Sequence, residues 1–242
     1  MPKPAVAAER FTGFPEGGIE FFLELQAEQS RTWFKAHQAE FERLWKRPLE
    51  LFVAELQTRL ADAFPGLSQV EPHFFRIQRD TRFARDKSPY KTYVAASMSV
   101  RPAPPERERD DEHGHSVPGL YVSFGLEADY IGVGSWHMSP QVLARYRAAV
   151  DHAKHGPQLQ RMMDDLAARD FKIDSMESLK RTPAPYAQDH PRAELLKRKG
   201  LAVGIQVPED LEQSAALLDW SEQHLRLTQP LVGWLDRHLA VG

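Results

Sequence analysis

The chain has 242 residues, 42% of them hydrophobic, which is enough to bury the core of one large domain. Its 31 basic and 34 acidic side chains leave a formal net charge of -3, so no overall field attracts nucleic acid or an anionic membrane. The absence of cysteine excludes disulfides, thiolate catalysis and cysteine-ligated zinc or iron–sulfur sites. Residues 1–11 have no signal-like hydrophobic core, and no apolar run approaches the roughly 20 residues of a membrane span, so the sequence predicts a soluble cytoplasmic protein.

The first third of the chain has the 3.6-residue period of amphipathic helices, after a flexible tail predicted at residues 1–10. An apolar run from Ile19 to Leu25 predicts the first helix, and Ser30 is a typical N-cap for the second. A third helix to about residue 63 is predicted by the spacing of Leu49, Phe52, Val53, Leu56 and Leu60. Because Pro48 has no N–H, it either kinks the second helix or begins the third.

The middle of the chain changes to the period of 2 that is typical of half-buried strands. Alternation over residues 90–100 predicts one strand, and residues 119–138 read as a hairpin with its turn near residues 127–129. A connection this short joins antiparallel strands, so we expect an antiparallel sheet. Residues 101–118, with four prolines and eight formal charges, predict a mobile charged loop between the strands.

The last third returns to helical patterns with one late strand. Ser139 and Pro140 are helix-start signals, and another helix is expected over residues 157–168. A short helix between Pro191 and Gly200 leads to an alternating strand at residues 201–207. The final helical region begins near residue 208 and is predicted to bend at Pro230. This order predicts a single α+β domain at residues 11–239, with an antiparallel sheet and helices packed mainly on one face.

One short segment concentrates positive charge. The stretch FRIQRDTRFARDKSPYK, residues 75–91, holds six cationic side chains in seventeen residues: Arg76, Arg79, Arg82, Arg85, Lys87 and Lys91. Its only acids are Asp80 and Asp86.

The order of residues 76–90 resembles the RxxRDxRFxxDKxPY signature of the DUF2461 family, a group of bacterial and fungal proteins of uncharacterised function. Other segments are similar to the same family, namely Trp33-Phe34, residues 132–136, residues 179–183 and residues 189–191, so the resemblance extends over most of residues 11–239. It implies no substrate or cofactor. The chain departs from the family at residues 28–31, where the family has an Asn-rich turn, and in its longer 101–118 loop.

The signature supports a binding site for a small anion, because arginine presents a planar fork of donors that matches phosphate or carboxylate oxygens in pairs. Trp136 joins the candidate site because its ring could stack on a base or sugar, and His137 because strand ends commonly border pockets. The predicted ligand-binding residues are Arg76, Arg79, Arg82, Arg85, Lys87, Tyr90, Lys91, Trp136 and His137. If the ligand is turned over, Asp80 or Asp86 would act as general base.

A structural role explains the same residues. Asp80 adjoins Arg79 and Asp86 adjoins Arg85, which is the composition of an ion-pair network that holds a fold without any ligand. The protein would then be a scaffold or a protein-interaction module. An anion-binding site and a structural network are therefore both open, and so is the question whether the protein is an enzyme.

The sequence predicts no metal site and no cofactor. His152 and His155 are an i, i+3 pair, His113 and His115 fall in the charged loop, and no HExxH-like spacing occurs. The near-neutral charge argues against nucleic acid as a partner. The expected partner is a small anionic ligand, with no membrane and with the oligomeric state left open.

Overall fold

The computed structural model describes residues 9–82, 85–102, 117–127, 129–174 and 177–239. Residues 1–8 of the predicted tail and residues 103–116 of the predicted charged loop lie outside the described residues. Six strands form one antiparallel sheet in the order β1-β2-β3-β4-β6-β5. These strands are β1 (His73–Phe74), β2 (Tyr93–Ser99), β3 (Gly119–Gly125), β4 (Tyr130–Ser135), β5 (Lys172–Asp174) and β6 (Leu201–Gln206).

The helices come before, between and after the strands. In the first third they are α1 (Gly18–Ala27), α2 (Arg31–Ala36), α3 (Gln38–Phe41) and α4 (Arg47–Arg59). After the β3–β4 hairpin they are α5 (Pro140–Asp151), α6 (His155–Ala167), α7 (Ala193–Leu196), α8 (Ala216–Leu227) and α9 (Gln229–Leu239). The α+β class expected from the sequence is confirmed, and the expected caps are present, since the Ser30 and Ser139 side chains accept hydrogen bonds from Trp33 N and Val142 N.

The long second helix widens just before Pro48. Glu42–Lys46 form a π-helical stretch, and Pro48 lies in the first turn of α4. Pro48 has no N–H and its ring crowds the carbonyl one turn earlier, so a regular α-helical turn does not continue through it. The wider π turn accommodates the proline, and the chain continues in helical conformation on both sides.

Strand register gathers the large aliphatic side chains on one face of the sheet. Met98 pairs with Leu120, Leu120 with Val133, and Val133 with Val203, and each of the four is at most 1% exposed. Helices α1, α4 and α8 cover one part of this face, and α5, α6 and α9 cover the part around Leu201 and Val203. The expected single domain with helices mainly on one face is therefore confirmed.

Two strands were not expected from the sequence. Strand β1 has two residues and β5 has three, and both lie at the edges of the sheet. A segment this short shows no alternation, so only its pairing with a longer neighbour identifies it as a strand. In the part of the chain that the structure describes, no helix is both long and apolar enough to cross a membrane.

The turn between β3 and β4 contains a carboxyl group with a shifted pKa. Asp129 Oδ1 accepts a hydrogen bond from Gly125 N at 2.8 Å. Burial raises the pKa of Asp129 to about 6; the Gly125 N–H acts against this rise, and the charge of Glu212 adds a small increase. The folded pKa thus lies above the ordinary value of 3.8, so the fold favours the protonated form and loses stability as pH rises through this interval.

Asp129→Asn should raise the free energy of unfolding at pH 7 by about 1–3 kcal/mol, because the amide keeps an acceptor for Gly125 without the charge. The measurement is urea denaturation at pH 7 and at about pH 4, where the advantage of the variant should shrink as wild-type Asp129 becomes protonated. Asp165→Asn, at an exposed position on α6, is the control and should change little at either pH. An Asp129→Asn effect of equal size at both pH values would contradict the assignment.

Candidate functional site

Residues 76–91, here called the signature segment, fold back on themselves as an irregular extension of β1 and β2. Gln78 and Tyr90 form an isolated antiparallel bridge. Around it, Arg79 N donates to Pro89 O at 2.9 Å and Lys91 N donates to Ile77 O at 2.8 Å. Phe83 and Ala84, in the middle of this stretch of sequence, lie outside the described residues. The pairing brings both ends of the signature segment to the same edge of the sheet.

Uncharged contacts anchor the signature segment. Ile77 and Tyr90 are 7% and 6% exposed, and the Tyr90 ring stacks on Phe34 with centroids 4.5 Å apart. The Gln29 carboxamide pairs with the outward side of the Tyr90 backbone: Tyr90 N donates to Gln29 Oε1 at 3.1 Å, and Gln29 Nε2 donates to Tyr90 O at 3.4 Å. The bridge with Gln78 leaves the backbone N–H and C=O of Tyr90 without a partner strand, and the Gln29 side chain pairs with both groups.

The charged pairs of the signature segment lie at the surface. Arg82 binds the Asp80 carboxylate with Nε and Nη2, the shorter contact being 2.6 Å, and Arg79 Nη1 pairs with Asp86. The side chains of Arg82 and Asp86 are 77% and 56% exposed, and those of their partners Asp80 and Arg79 are 34% and 32% exposed. Solvent screens ion pairs in such positions, so they contribute little to stability.

The two predicted catalytic carboxylates have low pKa values. The Arg82 guanidinium lowers the pKa of Asp80 to about 2, and the Ser88 N–H and hydroxyl, with Arg79, lower that of Asp86 to about 2. Asp86 Oδ1 accepts from Ser88 N at 2.9 Å, so it also shapes the turn that follows it. Because an effective general base has a pKa near the working pH, a carboxylate held at about 2 is a poor proton acceptor at neutral pH.

The remaining cations of the signature segment fall into different positions. Arg76 and Arg85 are exposed and make no hydrogen bond or ion pair with another described residue. Lys87 Nζ donates to Thr81 O at 2.8 Å, which ties down the turn. Lys91 Nζ lies 5.6 Å from the ring centroid of Phe75 and 5.7 Å from that of Tyr93.

The sheet face opposite the helices carries a continuous group of rings, here called the aromatic face: His73, Phe75, Tyr121, Tyr130 and Trp136. Tyr121 is at its centre, with ring centroids 5.9 Å from Phe75, 6.2 Å from Tyr130 and 5.6 Å from Trp136. His73 extends the group, 4.7 Å from Phe75. Lys91 therefore connects the signature segment to this face.

Register explains why these rings meet. His73 lies opposite Ser97, Ser97 opposite Tyr121, and Tyr121 opposite Gly132, so small residues separate the large ones across the strands. Gly132 in turn lies opposite Gly204, and a Cβ atom at Gly204 would collide with the Tyr130 ring. These two glycines therefore leave room for Tyr130 to lie across the sheet.

Of the two candidate residues outside the signature segment, the structure brings Trp136 to the aromatic face. The other, His137, is half-buried and close enough to Glu177 to help lower the pKa of that carboxyl, although pairing with Lys199 is the main cause. Within the described residues, His137 makes no hydrogen bond or ion pair with the signature cations. The candidate residues thus form a cationic segment joined to an aromatic face, with Asp80 and Arg82 on the exposed turn.

Sequence reasoning missed Gln29, Phe75, Tyr121 and Tyr130 as site residues. Tyr121 and Tyr130 occupy the strand positions that alternation assigns to solvent, where serine and glycine also occur. Aromatic side chains at such positions on two adjacent strands are the signal that would have found them, since a solvated sheet face otherwise carries polar residues.

The histidines do not form a metal site in the described residues. The rings of His152 and His155 stack with centroids 4.2 Å apart, and His155 lies 4.5 Å from His238. Burial, with the neighbouring cationic groups, lowers the pKa of His238. Over the described part of the chain, no group of three His, Asp or Glu side chains is arranged to hold a metal ion.

The protein is of the α+β class, with one antiparallel sheet and helices mainly on one face. Its signature segment and aromatic face form a charged and aromatic surface. The chain belongs to the DUF2461 family, because the family model described as "Conserved hypothetical protein (DUF2461)" matches residues 18–234. No curated protein and no solved structure matches the chain.

Gln29→Ala should lower the free energy of unfolding by about 1–3 kcal/mol, because both backbone groups of buried Tyr90 lose their partner. Chemical denaturation measures the change. Gln38→Ala is the matched control, since the Gln38 amide is exposed and, among the described residues, donates to the Glu42 side chain at 3.2 Å. Equal effects of the two substitutions would show that Gln29 does not anchor the signature segment.

Arg82→Ala should leave the denaturation midpoint within experimental error of wild type, because its ion pair with Asp80 is exposed to solvent. The same denaturation series tests it. If Arg82→Ala destabilises the protein as much as Gln29→Ala does, the ion pairs hold the fold and the structural-network hypothesis is correct.

Proposed function

We propose that the protein binds a small ligand bearing a phosphate or carboxylate group at the signature segment. The observation that carries the proposal is that this segment keeps cationic donors at the surface after folding. Arg76 and Arg85 are exposed and bind no other described side chain. Arg79 uses one terminal nitrogen for Asp86, and its fork has further N–H groups for a ligand.

The exposure of the ion pairs supports this role over a purely structural one. A network that holds a fold would be expected to bury its charges, whereas here the buried anchors are Ile77 and Tyr90 and the charges lie outside them. Six cations in an exposed segment repel each other, and the segment's own sequence supplies two acids, Asp80 and Asp86. A bound anion would reduce this repulsion.

The proposal is for binding, with no chemical step assigned. Asp80 and Asp86 have pKa values of about 2, and in this role they orient Arg82 and Arg79. A small anion is preferred to a nucleic acid polymer because the whole chain has a net charge of -3 and concentrates its cations locally.

Anions that bind should stabilise wild type by RT ln(1 + [L]/Kd), which is about 2.7 kcal/mol at a hundredfold excess over Kd. The measurement is a thermal-shift series with inorganic phosphate, phosphorylated sugars, nucleotides and dicarboxylates. The double substitution Arg76→Ala, Arg85→Ala should abolish or strongly reduce the shift while leaving the unliganded melting temperature close to wild type.

The matched control is Arg31→Ala, Arg161→Ala, which removes two exposed arginines from helices outside the signature segment. This control should retain the full ligand-induced shift. The proposal is wrong if no anion shifts wild type, or if both double variants respond equally.

A further inference from the structure

The cations of the signature segment and the aromatic face share one surface. Lys91 Nζ lies within 6 Å of the Phe75 and Tyr93 rings, a distance at which a cation is attracted to the ring face. Burial, with a smaller contribution from Glu127, raises the pKa of Tyr93, and nearby Arg79 acts in the opposite direction. Lys91 and Arg79 therefore lie at the β1–β2 edge of the aromatic face.

The aromatic face offers several separate rings for stacking, with the planes of Phe75, Tyr130 and Trp136 inclined by 55–64° to that of Tyr121. Tyr121 contacts three other rings at centroid distances of 5.6–6.2 Å, so each ring supports its neighbours. Tyr130 lies across Gly132 and Gly204, with one ring face toward the sheet. The rings of Phe75, Tyr121, Tyr130 and Trp136 are all half-buried, so each keeps part of its surface at the solvent boundary.

Combining the two features, we infer that the ligand is a nucleoside phosphate, with its base stacked on the aromatic face and its phosphate held by Arg79 and Lys91. The inference rests on the proposed function and names the ligand class for the same site. A base has a planar π-face that stacks on aromatic side chains, and its phosphate is complementary to the adjacent cations.

The distances suit one nucleotide. Lys91 Nζ lies over the Phe75 ring and Tyr121 is 5.9 Å from Phe75, so a base on Tyr121 stays within reach of a phosphate at Lys91. Among the described residues, Glu127 is close enough to Tyr93 to help raise the pKa of that hydroxyl, after burial. Repulsion from Glu127 places the phosphate on the Arg79 and Lys91 side.

The test compares ligands that differ by one part. Isothermal titration calorimetry of wild type would use adenosine 5′-monophosphate, ribose 5-phosphate, adenosine and inorganic phosphate. The expected order is adenosine monophosphate tightest, with ribose 5-phosphate weaker by about 5- to 150-fold, the factor that stacking of one base contributes. Adenosine should also be weaker, because it lacks the charged group.

Variants separate the two halves of the site. Tyr121→Leu should weaken adenosine monophosphate binding and leave ribose 5-phosphate binding unchanged. Lys91→Gln should weaken both phosphates together. Tyr186→Leu removes a half-buried ring that packs against the α5–α6–α9 core and should change neither affinity.

Each contrary outcome has its own meaning. If ribose 5-phosphate and adenosine monophosphate bind equally, the anion site stands and the stacking inference is overturned. If neither phosphate binds, the proposed function fails and the inference fails with it. If a single-stranded oligonucleotide binds and the mononucleotide does not, the ligand is a polymer and the inference is overturned. The ligand comparison uses wild type alone, so it stays decisive even if a ring variant does not fold.

Discussion

The pairing register of the antiparallel sheet is the constraint on which the rest of this structure depends. With β2, β3 and β4 paired as they are, Met98 and Leu120 face the helices while Ser97 and Tyr121 face the other way. A shift of one residue in any strand would move its aliphatic side chains to solvent and its polar ones into the core. The helical core and the aromatic face are thus two consequences of one arrangement of hydrogen bonds.

The signature segment takes its position from that sheet and from uncharged contacts. Its backbone extends β1 and β2, its buried side chains join the core, and Gln29 completes the bonding of Tyr90. Desolvated, uncharged contacts anchor a segment effectively, whereas exposed ion pairs exchange readily with water and salt. The exposed ion pairs of Arg79 and Arg82 contribute little to this anchoring, which is the physical basis for the proposal that the arginines bind a ligand.

Sequence patterns predicted the long elements well because their periods are strong. The spacing from Leu49 to Leu60, the Ser139 cap and the alternation of residues 90–100 each match an element of the structure. Strands β1 and β5 are too short to have a period, and the π turn before Pro48 is a local adjustment that no pattern specifies. For the candidate site, charge density singled out residues 76–91, but the rings of Tyr121 and Tyr130 resembled ordinary strand residues.

By itself the sequence determined the α+β class, the hydrophobic faces of the helices and strands, the cationic segment and the likeness to a family. These are properties of local spacing and composition, which can be read along the chain. Only the tertiary structure decided that Gln29 bonds to Tyr90, 61 residues away, and that Phe75, Tyr121 and Trp136 form one surface beside Lys91. Such contacts arise from strand register and helix packing, which bring together residues whose separation in sequence gives no sign that they will meet.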